Sequence, residues 1–190
     1  RWATKTGARL VCAGSHEDLP RLLGPDLVVR CEAGRAPRFE PGPGVARGEP
    51  VRIEPGTLAD HGALAHLHYR AGRPASPCLV LRAVTRGRLA GVLVASHPTL
   101  NGAWRELAWP GRYTGSDKRR VARRINRELR RISRVIVDPR DRGRGVARAL
   151  VRGYLDDPVT PATEAVCAMG RLCPLGAAAG MTVYPFAPRP

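Results

Sequence analysis

The pattern of apolar and polar residues predicts alternating strands and helices, most of them after residue 50. Residues 132–137 end in a β-branched Val-Ile-Val run, which is typical of a buried strand. The run stops at Pro139, and a turn rich in glycine and arginine leads into an apolar helical pattern over 146–155. We therefore predict a strand, a turn and a helix in this order.

Similar patterns predict the other elements of this region. Apolar residues at 121, 125 and 129 form one stripe of a helix expected over 117–130. Two apolar runs on either side of Arg86-Gly87 predict a hairpin with strands at 78–84 and 89–95. The remaining predictions are a strand at 51–54, a helix at 57–70, an irregular stretch at 98–114, a strand at 163–169, a short helix at 174–179 and a last strand at 181–186.

The first fifty residues are organised differently. Short strands are predicted at 8–14 and 26–30, with a helical turn between them, whereas 36–50 is dense in proline and glycine and indicates a linker. We therefore expect three parts: an N-terminal piece at 1–35, a linker at 36–50 and a domain at 51–187. Because the chain begins at Arg1 rather than Met, we expect a fragment or a processed product.

The charge of the chain is strongly positive and unevenly placed. The formal net charge is +16, and 30 of the 32 basic residues are arginine, a bias that a GC-rich gene also produces. Residues 118–148 hold thirteen basic and three acidic residues, a net charge of +10. Such a concentration predicts a polyanionic partner at this region, either coenzyme A or nucleic acid.

The turn after the Val-Ile-Val strand has the chemistry of a diphosphate site. A helix N-terminus presents free backbone N–H groups and the positive end of the helix dipole. Gly143 and Gly145 allow a ligand to approach the main chain, and Arg142 and Arg144 supply forked donors for phosphate oxygens. The alternative is an ordinary strand, turn and helix with solvated arginines.

The same residues resemble a known family. Val137-Asp138-Pro139, followed by Arg142-Gly143-Arg144-Gly145-Val146-Ala147, is similar to the acyl-CoA-binding signature of the GNAT acetyltransferases. The resemblance implies an α/β (α+β) fold in which helices flank a mixed, mostly antiparallel sheet with a splayed pair of strands. It also implies acetyl-CoA as co-substrate, an amine acceptor that attacks it directly, and no metal.

The resemblance also assigns the residues that bind acetyl-CoA. The strand backbone would pair with the pantetheine and the thioester, and one N–H near its end would polarise the thioester carbonyl. The turn and the first helical turn would hold the diphosphate, with help from two arginines. The residues concerned are Val135, Ile136, Val137, Arg142, Gly143, Arg144, Gly145, Val146, Ala147 and Arg148.

The acid and base of the reaction are less defined. Family members often carry a tyrosine that protonates the leaving thiolate, and the matching position here is Gly176. A thiolate near neutral pH needs little help in leaving, so this gap does not exclude the activity. Candidates for the base are Glu106, His97 and Glu164, each of which is also compatible with an ordinary solvated side chain.

The arginine-rich helix at 117–130 supports a second hypothesis. A run of like charges is usually a solvated face, but mutual repulsion makes an anionic partner plausible. The chain would then be a catalytically inactive GNAT-like module that binds nucleic acid, with Trp104, Trp109 or Tyr113 stacking on bases.

The N-terminal piece resembles the end of an ABC-type ATPase domain, in which a strand leads to a switch histidine, here His16. A Gly-x-x-x-x-Gly-Lys-Ser/Thr phosphate loop is absent from the chain, so we expect no ATP hydrolysis by it alone. The resemblance implies an upstream ATPase domain in the parent protein, in a bacterial or phage fusion.

The cysteines and the apolar runs of the sequence indicate the cellular compartment of the protein. Five scattered cysteines without zinc-like spacing indicate reduced thiols in the cytoplasm. The sequence shows no signal peptide, and its apolar runs are shorter than the ~20 residues that cross a bilayer, so no membrane partner is expected.

Overall fold

The structure is a computed structural model that describes residues 12–14, 17–23, 25, 27–41, 51–69, 72–167 and 174–185. The chain divides into two compact units, 1–48 and 49–190. The division falls inside the segment that its composition indicates as a linker.

The first unit contains a helical turn and a small hairpin. Helix α1 covers Leu19–Leu23, and strands β1 (Leu27–Arg30) and β2 (Arg38–Pro41) pair antiparallel. Strand β2 therefore occupies part of the expected linker. The described residues 12–14 of the strand predicted at 8–14 are not in a strand, and His16 lies outside the described residues.

The second unit is built on a five-stranded sheet with the order β3-β4-β5-β6-β7. Neighbouring strands are antiparallel from β3 to β6, and β7 is parallel to β6. The predicted α+β class, with a mixed and mostly antiparallel sheet, is confirmed. Its elements are β3 Arg52–Pro55, α2 Leu58–Leu64, β4 Pro77–Thr85, β5 Arg88–Ser96, α3 Arg105–Ala108, α4 Lys118–Glu128, β6 Leu129–Val137, α5 Val146–Asp156, β7 Ala162–Ala165 and α6 Leu175–Ala178.

The predicted hairpin and the arginine-rich helix are present. Arg86 and Gly87 both have positive φ, +53° and +69°, as the two-residue turns that match strand twist require. Helix α4 begins after Asp117, whose side chain accepts a hydrogen bond from the Arg120 N–H. It ends at Glu128, and strand β6 begins at the next residue, Leu129.

The two faces of the sheet bury different helices. Helix α5 lies on one face, where Val146, Leu150 and Tyr154 join a core cluster with Leu93 of β5. Helix α2 lies on the other face, where Leu64 packs with Val92 and Ile136. A third cluster, beneath α4, contains Tyr113, Ile125 and Leu129.

Several of the predicted elements are wrong in extent or type. The strand expected at 163–169 ends at Ala165, and a short helix lies within the stretch expected to be irregular at 98–114. The helix expected at 57–70 starts with a capping box between Thr57 and Asp60 but ends at Leu64, and residues 65–67 tighten into a 3₁₀ turn. The strand expected at 181–186 is absent from the described residues 181–185. Val183 and Tyr184 are exposed there, and Pro185 has no N–H to donate to a ladder. Among the described helices, none combines the length and apolar character that crossing a membrane requires.

Candidate functional site

The central feature of the site is a β-bulge in β6. Val94 of β5 pairs with Arg134 and Ala95 pairs with Ile132, so Ser133 is an extra residue on β6. Its hydroxyl donates to the Val94 carbonyl at 3.0 Å. Bulges bend a strand and shift its facing residues by one, so Ile132 and Val135 both point to the face that carries α5.

The ladder between β6 and β7 stops at this bulge. Leu129 to Ile132 pair with Ala162 to Ala165 in parallel, whereas β6 continues to Val137. Beyond Ile132, no described strand pairs with β6 on its β7 side. Because the Asp138 N–H donates to Ala90 just before the paired part of β5, the alternation of an antiparallel ladder turns the backbone groups of Val135 and Val137 toward the β7 side and those of Ile136 toward β5.

The turn that follows β6 has the conformation that its glycines allow. Gly143 and Gly145 have φ of +74° and +85°, a left-handed conformation that costs other residues about 1–2 kcal/mol. A Cβ built on Gly143 meets no atom within 4 Å, so the main chain there is open to a ligand. Both glycines are therefore needed for the left-handed backbone conformation of the turn, and they also allow a ligand to approach the main chain.

The N-terminus of α5 keeps its backbone donors free. Gly145 is the capping residue, and it has no side chain that could accept a hydrogen bond from the N–H groups of the first turn. No described residue accepts a hydrogen bond from the backbone N–H groups of residues 143–148. Gly91 of β5 allows α5 to approach the sheet closely, since a Cβ there would lie 3.2 Å from Val146 and Leu150. The helix end is thus fixed in place, and its backbone donors have no acceptor in the part of the chain that the structure describes.

An ion-pair network, which sequence reasoning did not find, holds the turn from behind. Arg88, at the start of β5, donates to Asp138 at 3.1 Å and to the fully buried Asp141 at 2.6 Å. Asp138 also accepts hydrogen bonds from the backbone and the guanidinium of Arg140. The partners are about fifty residues apart in the sequence, so no local pattern could reveal them.

The two arginines predicted to contact phosphate differ in their surroundings. Arg144 donates to Asp141 at 2.9 Å, so its charge is partly neutralised within the turn. Arg142 is exposed and forms no ion pair with any described residue. Arg148, one turn into α5, is exposed as well. The free positive charge at the mouth of the turn therefore comes from Arg142 and Arg148.

The network predicts acid sensitivity. Hydrogen bonds from Arg140 lower the pKa of Asp138 from its ordinary 3.8 to about 2. A lowered pKa stabilises the fold above pH 4, and this contribution, at most about 2 kcal/mol, is lost as the pH falls from 4 through 2. Urea unfolding of the parent and of Asp138→Asn should therefore show a smaller acid loss in the variant. An equal loss in both proteins would contradict this assignment.

The three candidate bases lie in different environments. Glu164 is buried in β7, and both of its oxygens accept hydrogen bonds from Arg105 at 2.8 Å. It also accepts a hydrogen bond from the Trp104 indole N–H at 3.0 Å and has Arg131 at 3.5 Å, so it is not the solvated side chain that the sequence allowed. Glu106 is exposed and accepts from the Gly111 N–H at 3.0 Å. His97 is exposed directly after β5.

The aromatic residues proposed for base stacking are engaged within the fold. Trp104 donates to Glu164 at 3.0 Å, and the Arg131 guanidinium lies 5.2 Å from its ring centroid. Tyr113 is only 6% exposed and meets Trp109 edge to face. The rings of Trp104 and Tyr113 already have partners within the fold, and base stacking by these residues stays a prediction.

A cavity of about 550 Å³ lies away from the turn. It is bordered by the end of β3, the start of β4 and the C-terminal half of α5, including Thr57, Cys78, Tyr154 and Asp157. The described residues that line it include no basic residue, so it does not suit a diphosphate. The β7-side edge of β6 and the N-terminus of α5 remain the better match to the predicted ligand.

Comparison with known proteins adds no further assignment. No family model, no curated protein and no solved structure matches the chain. The interpretation of the site therefore rests on its own geometry and chemistry.

Proposed function

We propose that the second unit is an acetyl-CoA-dependent N-acetyltransferase that transfers an acetyl group to an amine. Two features support the proposal. No described strand pairs with Val135 or Val137 on the β7 side of β6, and no described residue accepts a hydrogen bond from the backbone N–H groups of residues 143–148. An extended pantetheine with a diphosphate at one end requires backbone partners of both kinds.

The diphosphate end has the stronger support. Backbone N–H groups at a helix N-terminus bind anions without further adaptation, and Arg142 adds an exposed charge beside them. The network of Arg88 with Asp138 and Asp141 keeps these donors in one geometry. A preorganised site of this kind loses little entropy when it binds.

The chemistry needs few protein groups. The acceptor amine attacks the thioester carbonyl carbon, a C–N bond forms, the C–S bond breaks, and the thiolate leaves. A backbone N–H near Val137 would stabilise the negative charge that develops on the carbonyl oxygen, and such a donor is typically worth about 2.7–4 kcal/mol. The enzyme's main contribution would be to hold the amine against the thioester.

The proton of the amine needs an acceptor. His97 and Glu106 remain candidates because both are exposed, whereas Glu164 is committed to Arg105. Gly176, at the position of the usual tyrosine, lies in α6 and brings no acid. The proposal includes the cytoplasm as the location of the protein.

Isothermal titration with acetyl-CoA tests the proposal, together with an assay of thiol release in the presence of amines. We expect saturable binding in the parent and about ten- to a hundredfold weaker binding in Arg142→Glu, because a charge-assisted hydrogen bond contributes about 1.5–3 kcal/mol. The matched control is Arg152→Glu, an equal charge change at an exposed position further along α5. Undetectable binding in the parent at millimolar acetyl-CoA would remove the proposal.

A further inference from the structure

We infer that the outer face of α4 binds the phosphate backbone of a nucleic acid duplex. The helix has two distinct faces. Val121 and Ile125 point inward and pack with Tyr113 and Leu129. The outer face consists of exposed arginines: Arg119, Arg120, Arg123 and Arg127. The inference does not rest on the proposed acyl transfer, which uses other elements.

The arginines form a regular line of charge. Arg119, Arg123 and Arg127 lie four residues apart, so they stand in one row with steps of about 6 Å along the helix axis. The side chains of Arg119 and Arg123 form no ion pair or hydrogen bond with any described residue. Like charges four residues apart destabilise a helix by about 0.2–0.5 kcal/mol per pair. A polyanion laid along the row would remove this repulsion.

A pocket beside this row offers a place for a single phosphate group. It has a volume of about 330 Å³ and is lined by Arg112, Arg124, Arg127 and Glu128. Glu128 accepts hydrogen bonds from Arg112 at 3.0 Å and from Arg127 at 3.1 Å. One carboxylate against three guanidinium groups leaves two positive charges uncompensated. Arg127 belongs to both features, so the pocket and the row form one surface.

The chemistry of this surface favours nucleic acid over a membrane. A helix that lies on a lipid surface inserts an apolar face among the headgroups, but the apolar face of α4 is already buried in the core. Nothing apolar on the outer face is left to insert. The exposed groups are guanidinium forks, which match phosphate oxygens in pairs.

The same surface favours a duplex over a single strand. Non-specific single-strand binding depends on aromatic rings that stack on bases. Trp104 and Tyr113 are held within the fold, Trp109 is half-buried and packs edge to face against Tyr113, and the outer face of α4 carries no aromatic residue. Contacts to phosphate alone suit a duplex, which carries about one charge per 1.7 Å of axis. The binding should therefore be largely independent of base sequence.

Fluorescence anisotropy with 20-base-pair DNA and RNA duplexes tests the inference, at several potassium chloride concentrations between 50 and 200 mM. We expect binding that weakens with salt, and a logarithmic salt slope that falls by about 3 in Arg119→Ala/Arg123→Ala/Arg127→Ala, about one unit per phosphate contact. The DNA and RNA arms show which duplex is preferred. Circular dichroism should show that the variant keeps its helix, because all three side chains are exposed.

A matched control distinguishes binding by the α4 arginines from attraction by the net charge of the whole protein, which is +16. The variant Arg52→Ala/Arg73→Ala/Arg152→Ala removes the same charge from exposed positions on other parts of the second unit. It should keep a slope close to that of the parent. An equal fall of the slope in both variants would overturn the inference. So would stronger binding to a single strand of the same length or to anionic lipid vesicles.

Discussion

Replacing Glu164 by alanine should destabilise the second unit by about 3–5 kcal/mol, the largest effect expected for a single substitution. The side chains of Glu164 and Arg105 are only 4% and 2% exposed, and two hydrogen bonds of 2.8 Å join them. Removing one partner leaves the other charge buried and uncompensated, which is why such variants lose so much. A loss of this size is a large part of the 5–15 kcal/mol that stabilises a typical domain.

The measurement is the free energy of unfolding in urea, with Glu128→Ala as the matched control. Glu128 also pairs with two arginines, but their side chains are 55% and 76% exposed. Exposed pairs contribute about 0–1 kcal/mol, so the control should lie close to the parent. If the Glu164 variant unfolded at nearly the same urea concentration as the control, the buried pair would not hold α3 against β7 as described.

The second large effect concerns the ligand. Acetyl-CoA should bind at least about a hundredfold more tightly than S-acetylpantetheine, which lacks the diphosphate and the nucleotide. Two charge-assisted hydrogen bonds to the N–H groups of residues 143–148 would contribute about 3–6 kcal/mol, and each 1.4 kcal/mol is a factor of ten. Titration calorimetry with both compounds measures the difference directly.

Acetyl-dephospho-CoA provides the control for this comparison. It keeps the diphosphate but lacks the phosphate on the ribose, so it should retain most of the affinity of acetyl-CoA. Affinity as low as that of S-acetylpantetheine would place the important contact at the ribose phosphate instead. The turn at 142–148 would then lose its assigned role.

Local patterns were sufficient for the parts of the fold that depend on neighbouring residues. The Arg86-Gly87 turn, the Val121 and Ile125 stripe of α4 and the start of α5 at Val146 all follow from short-range spacing, and the structure confirms them. Gly143 and Gly145, in the turn after β6, were expected to give access to a ligand. Their positive φ shows that the backbone path itself also needs them.

Features that depend on contacts distant in sequence were not predictable. Ser133 looks like any polar residue in a strand, and only the pairing with Val94 and Ala95 shows that it is a bulge. The partnership of Arg88 with Asp141 and that of Arg105 with Glu164 each connect separate elements. These two ion pairs decide which charged residues support the structure and which remain free for a ligand.

The most direct test of the central claim is a titration followed by the backbone amide resonances of the ¹⁵N-labelled protein. The account predicts that acetyl-CoA and acetyl-dephospho-CoA shift the amides of residues 143–148. S-acetylpantetheine should shift only those of the β6 edge at 133–137. Binding of acetyl-CoA that left the amides of residues 143–148 unchanged would contradict the account.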